Sequence, residues 1–210
     1  MINSYAVPME AIRFAFRHIA FEEDTPALEV DEALFTQILE QAGRFATDRL
    51  IPINLPGDRD GVNFQDGVVR TSPAFRDAYR DWTSAGWLGV CAPESMGGSA
   101  LPRAITAPLD EIWNAANMSF HICPTLTQAA LKLILAHGSA EQRDAYLPQL
   151  ISGRYTASMG LTESHAGSDL STITTRATPL ADGTYQLRGA KIFTSFGEHD
   201  WSENILVDKI

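Results

Sequence analysis

Two short stretches of the sequence carry the residue types that could do chemistry. The first is Met159-Gly-Leu-Thr-Glu-Ser-His-Ala-Gly-Ser-Asp169, where an apolar run (Tyr155 to Leu161) enters a turn of small and hydroxylated residues. Thr162, Gly167 and Ser168 are types whose backbone N–H groups and hydroxyls can close on a flat heterocycle or a phosphate. The second is Gly189-Ala-Lys-Ile-Phe-Thr-Ser195, a β-type run with a ring at Phe193 and a hydroxyl at Ser195. Positions two apart on a strand share a face, so ring and hydroxyl could address one planar ligand. A strand–turn–strand corner capped by Asp169 accounts for the same residues without a ligand.

Other clusters promise less. Ser164, His165 and Asp169 suggest a hydrolase triad, but three residues of one turn do not converge in that geometry, and no G-x-S-x-G occurs. Glu198-His199-Asp200 has metal-ligand types, yet adjacent strand residues point to opposite faces, so a solvated turn is expected and no metal. Asp58-x-Asp60-Gly61-x-Asn63 lacks the glycine position and closing glutamate of a calcium loop. Lys191 is expected to face solvent, with a contact to cofactor phosphate or substrate as the alternative.

The elements that must position these stretches are mostly helical before residue 153 and β-like after it. Met9, Ile12, Phe16 and Ile19 give a helix over 9–21. From Asp31, apolar residues recur at threes and fours through Leu50, and Pro52 with Asn54-Leu-Pro-Gly ends that helix. A polar loop covers 55–71, with a tight turn at Asp66-Gly67. Ser72-Pro73 opens a helix with Phe75, Tyr79 and Trp82 on one face and Gly86 as its close. A second loop spans 87–101. Helices follow over 102–116, bent near Pro108, and over 124–137, with Leu126, Ala130, Leu133 and Ile134 inward and Gly138 as the stop. Ser139 and Gln142 form a capping-box pair for a last helix reaching Ile151. From 155 onward, alternating Thr, Ile, Tyr and Val around the Asp182-Gly183 turn read as strands.

Bulk properties narrow the function classes. The 210 residues carry 26 acidic and 16 basic side chains, a net charge of −10, which disfavours nucleic acid and anionic membrane as partners. Cys91 and Cys123 form no metal or disulfide pattern. No apolar run reaches membrane length and the first thirty residues are too charged for a signal peptide, so a cytoplasmic protein is expected.

Leu161-Thr-Glu-x-x-Ala-Gly-Ser-Asp169 followed by Gly189-x-Lys-Ile-Phe193 resembles the acyl-CoA dehydrogenase flavoproteins. Phe64-x-Asp-Gly67, Gly86-Trp-x-Gly89, Ala116-Asn117, His137-Gly138, Tyr146-Leu-Pro148 and Gly197-Glu-His-Asp-x-x-Glu-Asn-Ile205 resemble the 3-methylmercaptopropionyl-CoA dehydrogenase-like branch. The likeness covers about residues 5 to 207. It implies an α+β fold, with an all-α N-terminal helical domain (1–153) followed by the first part of a β-barrel-like middle domain (154–210). It also implies FAD as cofactor, an acyl-CoA substrate, an electron-transfer flavoprotein as redox partner in full-length members, and a homo-oligomer. Flavin contacts fall on Met159, Gly160, Leu161, Thr162, Ser168, Phe193, Thr194 and Ser195, with Ser168 also near the acyl-CoA. A Trp is frequent in the family where Phe193 stands and a Thr where Ser195 stands; both replacements keep the ring and the hydroxyl. The family's carboxylate base lies in a third, helical domain with which no residue here aligns, so the chain reads as an N-terminal portion. A non-catalytic remnant, or a relative of acyl-CoA oxidases or DNA-repair-associated flavoproteins, are the other readings.

Overall fold

A computed structural model describes residues 5–18 and 32–208. Helix α1 (Met9–His18) buries Ile12 and Phe16; the expected extension to Ile19 and beyond lies outside the described residues. Helix α2 (Glu32–Phe45) buries Phe35, Leu39 and Ala42, the spacing expected for a one-sided helix. It does not end where the prolines predict. A wide π turn (Ala46–Leu50) leads directly into α3 (Ile51–Asp60), with Pro52 in its first turn and Pro56 inside it. Proline lacks an N–H and is tolerated in a first helical turn, where that donor would have no partner. Asp58 and Asp60 therefore close a helix, with Gly61 at its end.

The expected loop over 55–71 contains a small antiparallel hairpin, β1 (Asn63–Gln65) with β2 (Val68–Arg70). Its turn residues Asp66 (φ 53°) and Gly67 (φ 81°) both adopt the left-handed conformation that tight hairpin turns require. Ser72 precedes α4 (Pro73–Ser84), which buries Phe75, Tyr79 and Trp82 as its periodicity predicts. Gly86 follows at φ 76°. Short 3₁₀ turns at Trp87–Gly89 and Glu94–Met96 punctuate the next loop.

The two helices expected over 102–137 form one continuous path, α5 (Arg103–His137), bent at Asn117 (φ −162°, ψ 88°) and not at Pro108. Asn117 stands in for the interrupted backbone bonds. Its amide donates to the Leu50 carbonyl at 3.1 Å, and its oxygen accepts the Phe120 N–H at 3.0 Å. Pro124, Thr127, Gln128 and Leu131 are the buried residues of 124–137, whereas Leu133 is exposed. Of the residues expected inward, Ala130 and Ile134 pack against the second core, Leu126 is half-buried, and Leu133 departs. Ser139 and Gln142 make a reciprocal capping box before α6 (Ala140–Ile151). Trp82, Trp113, Phe120, Leu50 and Leu109 centre the main core, with the Trp82 and Trp113 rings edge to face at 4.2 Å.

Beyond Gly153 (φ 71°), where a Cβ would collide with the Thr83 methyl, the chain becomes extended. Strand β3 (Tyr155–Met159) pairs in parallel with β6 (Asn204–Asp208). Strand β4 (Arg176–Pro179) pairs antiparallel with β5 (Tyr185–Arg188), an exposed hairpin turning at Asp182-Gly183. The described strands thus form two-stranded sheets, and residues 189–195 are not among them. Among the described residues, no helix is long and apolar enough to cross a membrane.

Candidate active site

Glu163 is the hub of the site. Although it belongs to a loop, its side chain is only 3% exposed. One carboxylate oxygen accepts from the N–H (2.9 Å) and hydroxyl (2.8 Å) of Thr174; the other accepts from the N–H (3.0 Å) and hydroxyl of Thr175. Lys191 adds its ammonium at 3.1 Å. These donors, led by the Thr175 hydroxyl, hold the Glu163 pKa well below the usual carboxylate range. The glutamate ties the turn after β3 to residues 174–175, the structural role its place in the motif suggests.

Lys191 contradicts the expectation that it faces solvent. Its side chain is 9% exposed and also donates to the Leu161 carbonyl at 2.8 Å. A lysine in an apolar run is drawn inward here because a buried carboxylate and a carbonyl both face it. Gly189 makes the approach feasible, since a Cβ there would collide with Thr175.

The same contacts explain why 189–195 is not a strand. Ile192 N–H makes one bond, to the Thr162 carbonyl at 2.8 Å, and the segment then curls. Ser195 N–H turns back to Phe193 O and Gly197 N–H to Thr194 O. Phe193 (φ 56°) and Phe196 (φ 55°) are both left-handed. Phe193 and Ser195 are therefore related by a turn and not by strand alternation.

The structure brings most of the expected residues together. The Thr162 carbonyl accepts the Ile192 N–H, next to Phe193 in sequence, and the Ser158 hydroxyl holds the Ser195 carbonyl. Met159 is exposed at the end of β3, Gly160 is buried, and Leu161 and Thr162 are half-buried. Thr194 is half-buried, Ser195 is exposed, and the Phe193 ring is 83% exposed. Ser168 stands on an exposed turn at the rim, its neighbour Gly167 passing near the Thr162 methyl. His165 is exposed, with Nε2 3.1 Å from the Thr172 carbonyl and 3.5 Å from a Glu163 carboxylate oxygen.

The stretch expected to be a solvated turn is instead anchored. His199 is buried against Thr156, at 2.9 Å, and Asp200 accepts from the Thr71 N–H and hydroxyl and pairs with Arg76 at 3.4 Å. Trp201 packs on Phe75, Phe120 and Phe196 and donates from its indole to the Thr71 hydroxyl at 2.7 Å. Thr71 and Arg76 are more than a hundred residues away and Thr156 is 43 away, so no local pattern announced them. The hydroxyls of Thr156 and Ser158, alternating with Ala157, were the available signal.

Two buried histidines set an acid limit on stability. Burial pushes His121 down to about 4, against the pull of Asp110, and His199 down to about 4, against Asp200. Both are neutral when folded and bind protons more readily when unfolded, so stability falls as pH drops from about 6.5 to about 4. His121, fully buried beside Trp82 and Trp113, contributes roughly 3 kcal/mol of that loss. The urea midpoint is expected to fall across this window; a midpoint constant from pH 7 to pH 4 contradicts the assignment.

The profile of the acyl-CoA dehydrogenase N-terminal domain matches residues 35–154. The chain belongs to the acyl-CoA dehydrogenase family. It is 39% identical over 209 residues to 3-methylmercaptopropionyl-CoA dehydrogenase of Ruegeria pomeroyi, covering 97% of this chain and 35% of that protein. It is 32% identical over 163 residues to a butyryl-CoA dehydrogenase of Syntrophomonas wolfei, covering 76% of this chain and 27% of that one. The chain thus spans about a third of the length of these acyl-CoA dehydrogenases. Among solved structures, butyryl-CoA dehydrogenase from Megasphaera elsdenii superposes with a TM-score of 0.65 at 25% identity, over 80% of this chain and 42% of that one. Glutaryl-CoA dehydrogenase from Mycobacterium smegmatis gives 0.66 at 25% identity, over 77% and 39%. The helical N-terminal region with strands after it is thus the fold of this family.

Proposed function

We propose that the chain is the N-terminal portion of an FAD-dependent acyl-CoA dehydrogenase and supplies one wall of its flavin site. The observation that carries this reading is Phe193. A bulky residue at φ 56° occupies a disfavoured backbone region, and conformations of that kind cost about 1–3 kcal/mol each. Here the buried Glu163–Lys191 pair and the Ile192–Thr162 bond hold a ring in that conformation while leaving it 83% exposed. A ring fixed in place yet uncovered fits a flat ligand that covers it.

The residues present fit FAD. The Thr162 hydroxyl and the backbone of Met159, Gly160 and Leu161 would hold the polar edge of the flavin, and Phe193 one face of it. Thr194 and Ser195 would offer donors at the reactive ring nitrogen, and Ser168 would lie by the pyrophosphate and the acyl-CoA. The chemistry that FAD supplies when bound is acceptance of a hydride from the β-carbon of an acyl thioester. Phe193 excludes water from that side, and the exposed Ser195 hydroxyl is free to donate a hydrogen bond. The abstraction of the α-proton belongs to a base outside the described residues. Residues 1–153 and 154–210 form the helical unit and the start of the β unit in this reading. An acyl-CoA substrate, an electron-transfer flavoprotein, self-association and a cytoplasmic setting come with it.

Titration of the chain with FAD, followed by quenching of flavin fluorescence, tests the reading. Phe193→Ala is expected to weaken binding by on the order of 1 kcal/mol, about fivefold, through lost stacking. Absence of saturable uptake, or equal affinity in the variant, contradicts it.

A further inference from the structure

Strand β3 has two differently made faces. Ala157 packs into the second core beside Leu131 and Leu147, and its N–H donates to the Thr127 hydroxyl at 3.1 Å. Thr156 and Ser158, two apart and so on the opposite face, are both buried, and both direct their hydroxyls to the loop that follows the Phe193 ring. Ser158 donates to the Ser195 carbonyl. Thr156 Oγ1 lies 2.9 Å from His199 Nε2 and 3.0 Å from Ser202 Oγ, and Ser202 Oγ donates to the Asn204 carbonyl at 3.0 Å.

The protons of this chain of groups have one consistent arrangement. His199 Nδ1 accepts the Trp201 N–H at 3.1 Å and so carries no proton, which places the ring proton on Nε2. Nε2–H then donates to Thr156, the Thr156 hydroxyl to Ser202, and the Ser202 hydroxyl to Asn204, with each proton used once. A second proton on His199 would face the Trp201 N–H, donor against donor. Among the described residues, the charged groups beside His199 in its loop are Glu198 and Asp200, and Arg76 of α4 pairs with Asp200; β3 contributes hydroxyls. Phe196 and Trp201 flank the imidazole, with ring centroids at 5.6 and 5.5 Å.

We propose that His199, clamped between Thr156 and the Trp201 amide, is the positioning residue that aims the Phe193–Ser195 turn at the flavin. This rests on the flavin reading above. His199 acts through the loop: the turn is fixed on one side by the Ile192 bond to Thr162 and on the other by the Ser158 and His199 bonds to β3. No other described side chain of residues 196–203 bonds to β3 except Ser202, and that bond goes to the same Thr156 hydroxyl.

Four variants of the whole 210-residue chain test this: His199→Gln, His199→Asn, Thr156→Val and Thr156→Ser. Gln can reach Thr156 but not also serve the Trp201 amide, Asn can do the reverse, Val removes the hydroxyl and Ser restores it. The first readout, taken without flavin, is amide hydrogen exchange over residues 193–202, with far-UV circular dichroism as the check of folding. Exchange at Gly197 and Trp201 is expected to accelerate about tenfold in His199→Gln and Thr156→Val and to stay near wild type in Thr156→Ser. The second readout is FAD affinity with the visible circular dichroism of the bound flavin. Affinity is expected to fall about tenfold in the first two variants, with an altered flavin signal, and to recover in Thr156→Ser. Unchanged exchange in folded His199→Gln and His199→Asn overturns the clamp. Faster exchange with unchanged affinity and flavin signal makes His199 merely structural and overturns the positioning role. Failure of the wild-type chain to take up FAD overturns the flavin reading and with it the aim of the turn, while the exchange result still decides the clamp.

Discussion

Loaded with FAD and mixed anaerobically with acyl-CoAs of several lengths, the 210-residue chain is expected to leave the flavin band unbleached. Dehydrogenation breaks two C–H bonds, and hydride acceptance deals with one. The α-proton needs a positioned base, whose contribution runs to roughly 10²–10⁴-fold in rate. Of the four carboxylates in the segments around Phe193, Glu163, Asp169 and Asp200 are committed elsewhere. Glu163 already accepts from two threonine N–H groups, two threonine hydroxyls and Lys191, and its pKa is held low. Asp200 is bound to Thr71 and Arg76. Asp169 accepts from the hydroxyl and N–H of Ser171, which lower its pKa. Glu198 is exposed, in a loop where water competes for it. Substrate-dependent bleaching that vanishes in Glu198→Gln would name that residue as base and overturn this expectation. Bleaching restored by adding the C-terminal helical region of a family member is the expected complement.

Lys191→Met should damage both the loop and any flavin binding. The ammonium is the charge partner of a buried carboxylate and also the donor to the Leu161 carbonyl beside Thr162. Removing one member of a buried pair leaves the other charge uncompensated, a heavy loss relative to replacing both. The threonine donors remain on Glu163, which limits the damage. The melting temperature is expected to drop by about 6 °C and FAD affinity by about tenfold or more. A variant matching wild type in both would show that the Glu163–Lys191 pair does not hold this loop.

What was legible in the sequence is what local chemistry decides. Ser139 with Gln142, Asp66-Gly67 and the Phe75–Tyr79–Trp82 stripe act through neighbours within four residues, and each takes the expected form. Membership of the family was legible from short motifs spread along nearly the whole chain, and the profile match supports it. The misreadings share one cause, a distant partner or an unusual backbone turn. Pro52 did not end its helix because a π turn delivers it to a position needing no donor. Asn117, not Pro108, bends α5 because its side chain finds Leu50. Lys191 and His199 are buried because residues 30 and 43 positions away offer matching groups. The segment 189–195 has strand composition, yet the loop beside it supplies one bonding partner, at Thr162, so it curls and presents Phe193.

Amide chemical-shift mapping of the isotope-labelled chain during FAD titration tests the flavin wall most directly. The account predicts saturable shifts centred on Gly160, Leu161, Thr162, Phe193, Thr194 and Ser195, with smaller ones at Ser168. Saturable shifts centred instead on the arginine-lined cleft of Arg76, Arg80 and Arg154, with residues 159–162 and 193–195 unmoved, would contradict it.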